Sequence, residues 1–307
     1  MNKRPLRALA LFSLVALTLS GCGADSDTDT QTDPTESDLT IVASTNVWGD
    51  VAAAVAGDLA SVTSLITGSA QDPHEFEASA QDRLALEKAG LVIKNGGGYD
   101  PFMDTLLASG GGEAGVLDAV VVSGYEAGEG FNEHVWYDLP TVDRVAAAVS
   151  QELSRLDPDN AATYQANYEA FAGELSEVAA SATALKATAA GRGVAITEPV
   201  PLYLLEAAGL VNLTPGAFSE AVEDGDDVPP RVLLETLDLF SGDGIALLAY
   251  NAQTANATTE QVRTAAEAAA VPVVDFAETL PEGQTYIEWQ QGNVDRLAAA
   301  LEGTVGG

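Results

Sequence analysis

Residues 160–188 read NAATYQANYEAFAGELSEVAASATALKAT. The stretch has no proline and one glycine, Gly173. Tyr164, Tyr168, Phe171, Leu175, Val178 and Leu185 recur at helical spacing. Two readings are open: two helices broken near Gly173, or one long helix. A single helix of about 28 residues would run roughly 42 Å at 1.5 Å per residue, well beyond the mean helix of about 11–12 residues. Its flanks favour the long helix, because each side carries the same pattern of short apolar runs alternating with amphipathic stretches.

On the N-terminal side, Leu39–Ser44, Ser61–Ile66, Leu91–Lys94 and Ala119–Ser123 read as strands. Trp48–Ala56, Ala80–Ala89, Pro101–Ala108 and Thr141–Arg155 read as helices. On the C-terminal side, strands are expected over Val194–Thr197, Ile245–Tyr250 and Val271–Phe276. Helices are expected over Leu202–Ala208, Pro229–Phe240, Thr259–Ala270 and Thr285–Leu301. Alternation of this kind argues for parallel sheets in an α/β fold. The expected architecture is two α/β lobes, 39–157 and 190–307, joined by a connecting helix over 158–189.

Composition bounds the function. The 307 residues carry 13 Lys plus Arg against 46 Asp plus Glu, a formal charge of -33. Nucleic acid is excluded as a partner, since a phosphate backbone needs clustered cations. Charge attraction to anionic lipid is disfavoured for the same reason. One Cys allows neither an internal disulfide nor a Cys-based zinc finger. Two His in the whole chain make each worth following.

The sole Cys has a context. Residues 1–22 read MNKRPLRALALFSLVALTLSGC, with Lys3, Arg4 and Arg7 ahead of the apolar run Ala8–Leu19. A run of 12 residues is short for a membrane span of about 20 but suits a signal-peptide core. The ending Leu19-Ser20-Gly21-Cys22 resembles the bacterial lipobox, which implies a signal over 1–21 and lipid on Cys22; the alternative is an ordinary secretory signal with a chance cysteine. Residues 23–38, GADSDTDTQTDPTESD, lack the apolar side chains to fold and read as a flexible acidic tether. Its reach is about 20–25 Å.

Both histidines lie in acidic, aromatic-flanked loops of the N-terminal half. His74 sits in DPHEFE (72–77) and His134 in NEHVWYD (132–138). Both follow expected strands, where open α/β sheets bind ligands. Neutral imidazole suits Zn, Mn and Fe, and two imidazoles need carboxylates to complete a site. Glu198 and Glu278 stand after strands of the other half, although single acids in so acidic a chain are ordinarily solvated. Glu75, Glu77, Glu133 and Asp138 could orient the imidazole nitrogens or be surface acids.

Other motifs fail. His74-Glu75 begins an H-E-x-x-H motif, but Ala78 fills the second His position. Gly96-Gly97-Gly98 lacks a following Lys-Ser/Thr and reads as a turn with positive φ. No G-x-S-x-G elbow is present. Asp224-Gly-Asp-Asp227 is acidic without EF-hand spacing. Trp136 and Trp289, beside the candidate loops, read as packing that keeps water out.

With ITEPVPLYLLEAAGL (196–210) and VVDFAETLPEGQTYIEW (273–289), the two histidine motifs resemble the zinc/manganese solute-binding lipoproteins of bacterial ABC importers. The resemblance runs from about Thr40 to Leu301. It implies two α/β lobes joined by a rigid helix, with one divalent ion held in the cleft between them. Carried over motif by motif, it implies His74, His134, Glu198 and Glu278 as metal ligands. The fourth position is commonly Asp, so Glu278 departs from the pattern and nearby Asp275 is an alternative. The resemblance further implies an extracytoplasmic, membrane-anchored monomer without catalytic activity, delivering zinc or manganese to a permease and its ATPase. The rival expectations are an extracytoplasmic metallohydrolase using the same site and a metal-stabilised adhesin.

Overall fold

Near-continuous burial marks the central strands. In the computed structural model, β1 (Thr40–Thr45) is buried from Ile41 onward, and the C-terminal strand Ile245–Asn251 is buried throughout. Such runs are what parallel strands covered on both faces require. The structure describes residues 39–68, 71, 76–110, 114–128 and 130–303. The signal segment 1–21, Cys22, the tether, His74 and Glu75 lie outside the described residues.

The N-terminal lobe continues through α1 (Asn46–Ala56), β2 (Ser61–Ile66), α2 (Ala80–Lys88), β3 (Leu91–Lys94), α3 (Pro101–Ala108), β4 (Gly115–Asp118) and α4 (Ala119–Ser123). Its sheet is all parallel in the order β2-β1-β3-β4. Helix α1 lies so close over β2 that a Cβ on Gly49 would meet the Ser64 hydroxyl at 2.0 Å.

One expectation is corrected here. Ala119–Ser123 is not a strand; the strand is Gly115–Asp118, paired with β3, and the AVVVS run is one helical turn. Local capping overrides the β-branched side chains. The Asp118 carboxylate accepts from the backbone N–H of Val121, and Gly124 closes the turn in the left-handed region at φ 74°.

Helices α5 (Leu139–Leu156), α6 (Ala161–Ala184) and the single turn α7 (Lys186–Ala189) lead to the second lobe. Helix α6 passes through Gly173 without a break. At 24 residues it is about 36 Å long. Tyr164, Phe171, Leu175, Val178 and Ala182 form its buried face. Across that face it packs on α1 and α5 of the first lobe.

The second lobe comprises β5 (Gly193–Ile196), α8 (Leu202–Ala207), β6 (Val211–Asn212), α9 (Gly216–Glu223), α10 (Pro230–Asp238), β7 (Ile245–Asn251), α11 (Ala257–Ala268), β8 (Val273–Phe276) and α12 (Tyr286–Gly303). Helix α12 also packs on α6. The sheet is parallel in the order β6-β5-β7-β8, repeating the first lobe's topology. Each sheet therefore reverses strand order at one point, between β1 and β3 and between β5 and β7. Crevices for ligands form at the carboxyl ends of strands at such points.

One hydrophobic cluster runs through both lobes. It joins Ile41, Trp48 and Ile93 to Val194, Leu247 and Phe276 by way of α6. Separate clusters lie on the outer faces, around Val42 and Met103 in one lobe and Phe218 and Leu248 in the other. Among the described residues, no helix is long and apolar enough to cross a membrane.

Candidate metal centre

The site is built from the ends of the strands. Asn95, just past β3, accepts from the Trp48 indole N–H at 3.1 Å and donates to the Glu133 carbonyl at 2.9 Å. The His134 segment is thereby tied to the sheet. The Gly96-Gly97-Gly98 turn follows with φ of 79°, 70° and 106°. It is held by the buried Asp100 carboxylate, which accepts from the backbone N–H groups of Asn95 and Gly96 at 2.6 and 2.8 Å. Burial raises the Asp100 pKa against those hydrogen bonds.

His134 is fully buried. Its ring lies at edge angles to Trp136 and Tyr99, with centroids 5.0 and 5.8 Å away. Its Nδ1 is 2.7 Å from Asn132 Oδ1. The Asn132 Nδ2 donates to the carbonyl of Pro199 in the other lobe at 3.0 Å, so the amide oxygen faces the imidazole.

The C-terminal lobe supplies the acids. Glu198 follows β5 and is 2 % exposed; Glu278 follows β8 and is 1 % exposed. Asn251, the last residue of β7, donates from one Nδ2 to Glu198 Oε2 at 2.6 Å and to Glu278 Oε1 at 2.7 Å. Thr254 donates a second, short hydrogen bond to Glu198. From the N-terminal lobe, the Tyr99 hydroxyl donates to Glu278 Oε2 at 3.2 Å, and the Tyr137 hydroxyl donates to the Ala277 carbonyl at 2.7 Å. Asn46 pairs with the backbone of Leu280 through both ends of its amide, at 2.8 and 3.0 Å. The segment carrying Glu278 is thus gripped by three side chains of the opposite lobe.

Asp275 lies elsewhere. Its side chain is 54 % exposed on β8 and faces Arg263 at 3.6 Å. Asp138 accepts from Tyr125 and Thr141 rather than from His134, and Glu77 is exposed. Trp136 and Trp289 are buried packing, as their neighbours in sequence suggest.

Sequence reasoning missed Glu223, at the end of α9. Its Oε1 is 3.6 Å from His134 Nδ1. One ligand-type atom each of Glu133, His134 and Glu223 lies within 4.8 Å of the others. The Glu223 carboxyl is pushed up to about 9, first by burial and then by the charges of Glu133, Glu198, Glu278 and Asp224. Asn132, Asn251, Tyr99 and Thr254 were missed as well, because nothing in their residue type distinguishes a positioned amide or hydroxyl from any other.

Glu133, His134 and Glu223 form one cluster of ligand-type atoms, and Glu198 and Glu278, joined through Asn251, form a neighbouring pair; imidazole and carboxylate are N/O donors that suit a divalent cation. Acids crowded in a low-dielectric cleft are costly to ionise together until a cation joins them.

Comparison with known proteins is in accord. The manganese-binding lipoprotein MntA of Halalkalibacterium halodurans is 28% identical over 245 residues, covering 73% of this chain and 78% of that protein. MntA of Bacillus subtilis is 30% identical over 179 residues, 56% of each chain. Among solved structures, FpvC from Pseudomonas aeruginosa in complex with Mn2+ superposes with a TM-score of 0.71 at 25% identity, covering 86% of this chain and 98% of that one. The periplasmic zinc-binding protein TroA from Treponema pallidum shares the fold, with a TM-score of 0.72 at 20% identity over 86% and 99% of the two chains. Residues 41–300 match the family described as zinc-uptake complex component A, periplasmic, and the chain belongs to that family.

Proposed function

We propose that the protein captures one divalent transition-metal ion outside the cytoplasm and delivers it to an ABC importer. His74 and His134 would bind through neutral imidazole, Glu198 and Glu278 through carboxylate. The observation that carries this reading is Tyr99, whose ring lies against buried His134 while its hydroxyl donates to buried Glu278, an acid of the opposite lobe bridged to Glu198 by Asn251. A site drawn from both lobes binds cargo without needing a substrate pocket or an activated water, so the role is binding and release, not turnover. The relatives give the metallohydrolase and adhesin readings no advantage over transport.

The oxygen-rich donor set and the relatives named for manganese favour Mn2+ over Zn2+ as cargo. In this reading lipid on Cys22 anchors a monomer through the tether 22–38, after removal of 1–21. The body comprises the lobes 39–157 and 190–307 and the connecting helix 158–189. Permease and ATPase are the partners.

Calorimetric titration of metal-free protein with Zn2+ and Mn2+, under chelator competition, tests the reading. One tight equivalent is expected, lost in the His74→Ala/His134→Ala double variant. Absence of specific binding of either ion would overturn it.

A further inference from the structure

Glu223 occupies a position that folding alone does not account for. The buried face of α9 is Phe218, Ser219 and Val222. Glu223 is the last residue of that helix, where the exposed carbonyls disfavour negative charge. Its side chain is only 13 % exposed, and it faces Glu133, Glu198 and Glu278. Its Oε1 is buried and accepts no hydrogen bond. Across the cleft it lies 3.6 Å from the Nδ1 of His134.

That nitrogen is the proton-bearing one. Asn132 Oδ1 faces it at 2.7 Å and also accepts from the His134 backbone N–H at 3.1 Å, while the amide's nitrogen is committed to Pro199. An acceptor at Nδ1 requires Nδ1–H and leaves the lone pair on Nε2. Two oxygens therefore flank the Nδ1 edge: an amide from the same loop, itself braced on the opposite lobe, and a carboxyl from that opposite lobe. Groups that hold the far nitrogen of a metal-binding imidazole fix its orientation and raise its donor strength.

We propose that Glu223 is a positioning residue for cargo capture. It flanks His134 from across the cleft and reinforces the hold of Asn132 on the Nδ1–H form, so that Nε2 reaches full donor strength when the two rims of the cleft are apposed. The inference rests on His134 being a cargo ligand. It adds that the C-terminal lobe governs a ligand of the N-terminal lobe, and that drawing the rims apart weakens that ligand as well as parting it from the carboxylates.

The test uses Glu223→Leu, similar in size without a polar oxygen, and Glu223→Gln, which keeps an acceptor. The Leu variant should bind Mn2+ about 10–100-fold more weakly, at the same stoichiometry. The Gln variant should recover most of the loss. A second readout needs no metal. With only two histidines in the chain, 15N-histidine labelling in a His74→Ala background reports the His134 ring alone. Its nitrogen shifts should mark the Nδ1–H form in the parent and move toward a tautomer mixture in the Leu variant, with Gln again restoring them. Weaker binding with unchanged ring shifts would mean a merely structural role and overturn the proposal. So would unchanged affinity. If the parent binds neither Mn2+ nor Zn2+, the capture reading fails and this inference with it. Ring shifts that respond to Glu223 would then place that failure in the capture reading, not in the contact.

Discussion

Replacing Asn251 by Asp changes one NH2 group to an oxygen and leaves the shape of the side chain intact. In the parent, Asn251 Oδ1 accepts from the Gln253 backbone N–H at 3.1 Å, which turns Nδ2 toward Glu198 and Glu278. The variant loses two buried hydrogen bonds to carboxylates, each worth about 1.5–3 kcal/mol. The expected loss of stability in metal-free protein is therefore about 3–6 kcal/mol before any repulsion from the third acid. At the lower end of the usual scale of roughly 2–4 °C per kcal/mol for chains near this size, the melting temperature should fall by about 6–12 °C. A cation in the site neutralises the cluster, so saturating Mn2+ should narrow the gap between variant and parent. Thermal unfolding followed by circular dichroism, with chelator and with Mn2+, measures both quantities. A metal-free variant that melts within about 2 °C of the parent would refute the reasoning, as would a gap that Mn2+ leaves unchanged.

Two further outcomes follow from other residues. The Glu223 carboxyl is raised from 4.5 to about 9 in the fold, so its contribution to stability is complete below about pH 4.5 and is lost as pH rises through about 9. Denaturant midpoints of metal-free protein should decline over that window, and Glu223→Gln should flatten the decline; metal affinity should show the opposite trend, weakening in acid as protons compete for the ligands. At the start of β5, a Cβ on Gly193 would lie 2.4 Å from the Gly244 carbonyl and 2.5 Å from Leu213 Cδ1. Gly193→Ala should destabilise by about 1–3 kcal/mol in urea unfolding while leaving metal stoichiometry at one.

The alternation of strands and helices was legible because the parallel strands are short, apolar and bounded by turns. The long helix was legible from its spacing, and only the structure could say that Gly173 does not break it, since the neighbouring turns pack firmly on α1, α5 and α12. The Ala119–Ser123 misreading came from trusting β-branched composition over the caps at Asp118 and Gly124. Strand β6, two residues long, and the short helix α9 carry too little pattern to be seen. Two rare histidines drew the eye, whereas Glu223, beside His134, was lost among 46 acids. Asp275, two positions before Ala277, shows the limit of proximity in sequence: it is on the strand, facing Arg263 and solvent, while Glu278 turns inward.

The single hydrophobic cluster that threads both lobes sets a mechanical bound on how the site can empty. Where the lobes meet, Tyr137 packs on Trp289 and Phe276 at centroid separations of 5.5 and 6.1 Å, and Phe171 packs on Tyr286 at 6.2 Å. Each such aromatic side chain hides about 150–250 Å2, equivalent to about 4–6 kcal/mol at 25 cal/mol per Å2. Prying the seam open would thus consume as much free energy as unfolding a typical domain, about 5–15 kcal/mol. That packing argues for a stiff frame, with compliance left to the rims beyond the strand ends, where the two sides are joined by hydrogen bonds such as Asn132 to Pro199 and Tyr99 to Glu278 and by the stacked Tyr125–Tyr203 pair. A transporter that unloads the ion has to work on those rims and leave the frame closed.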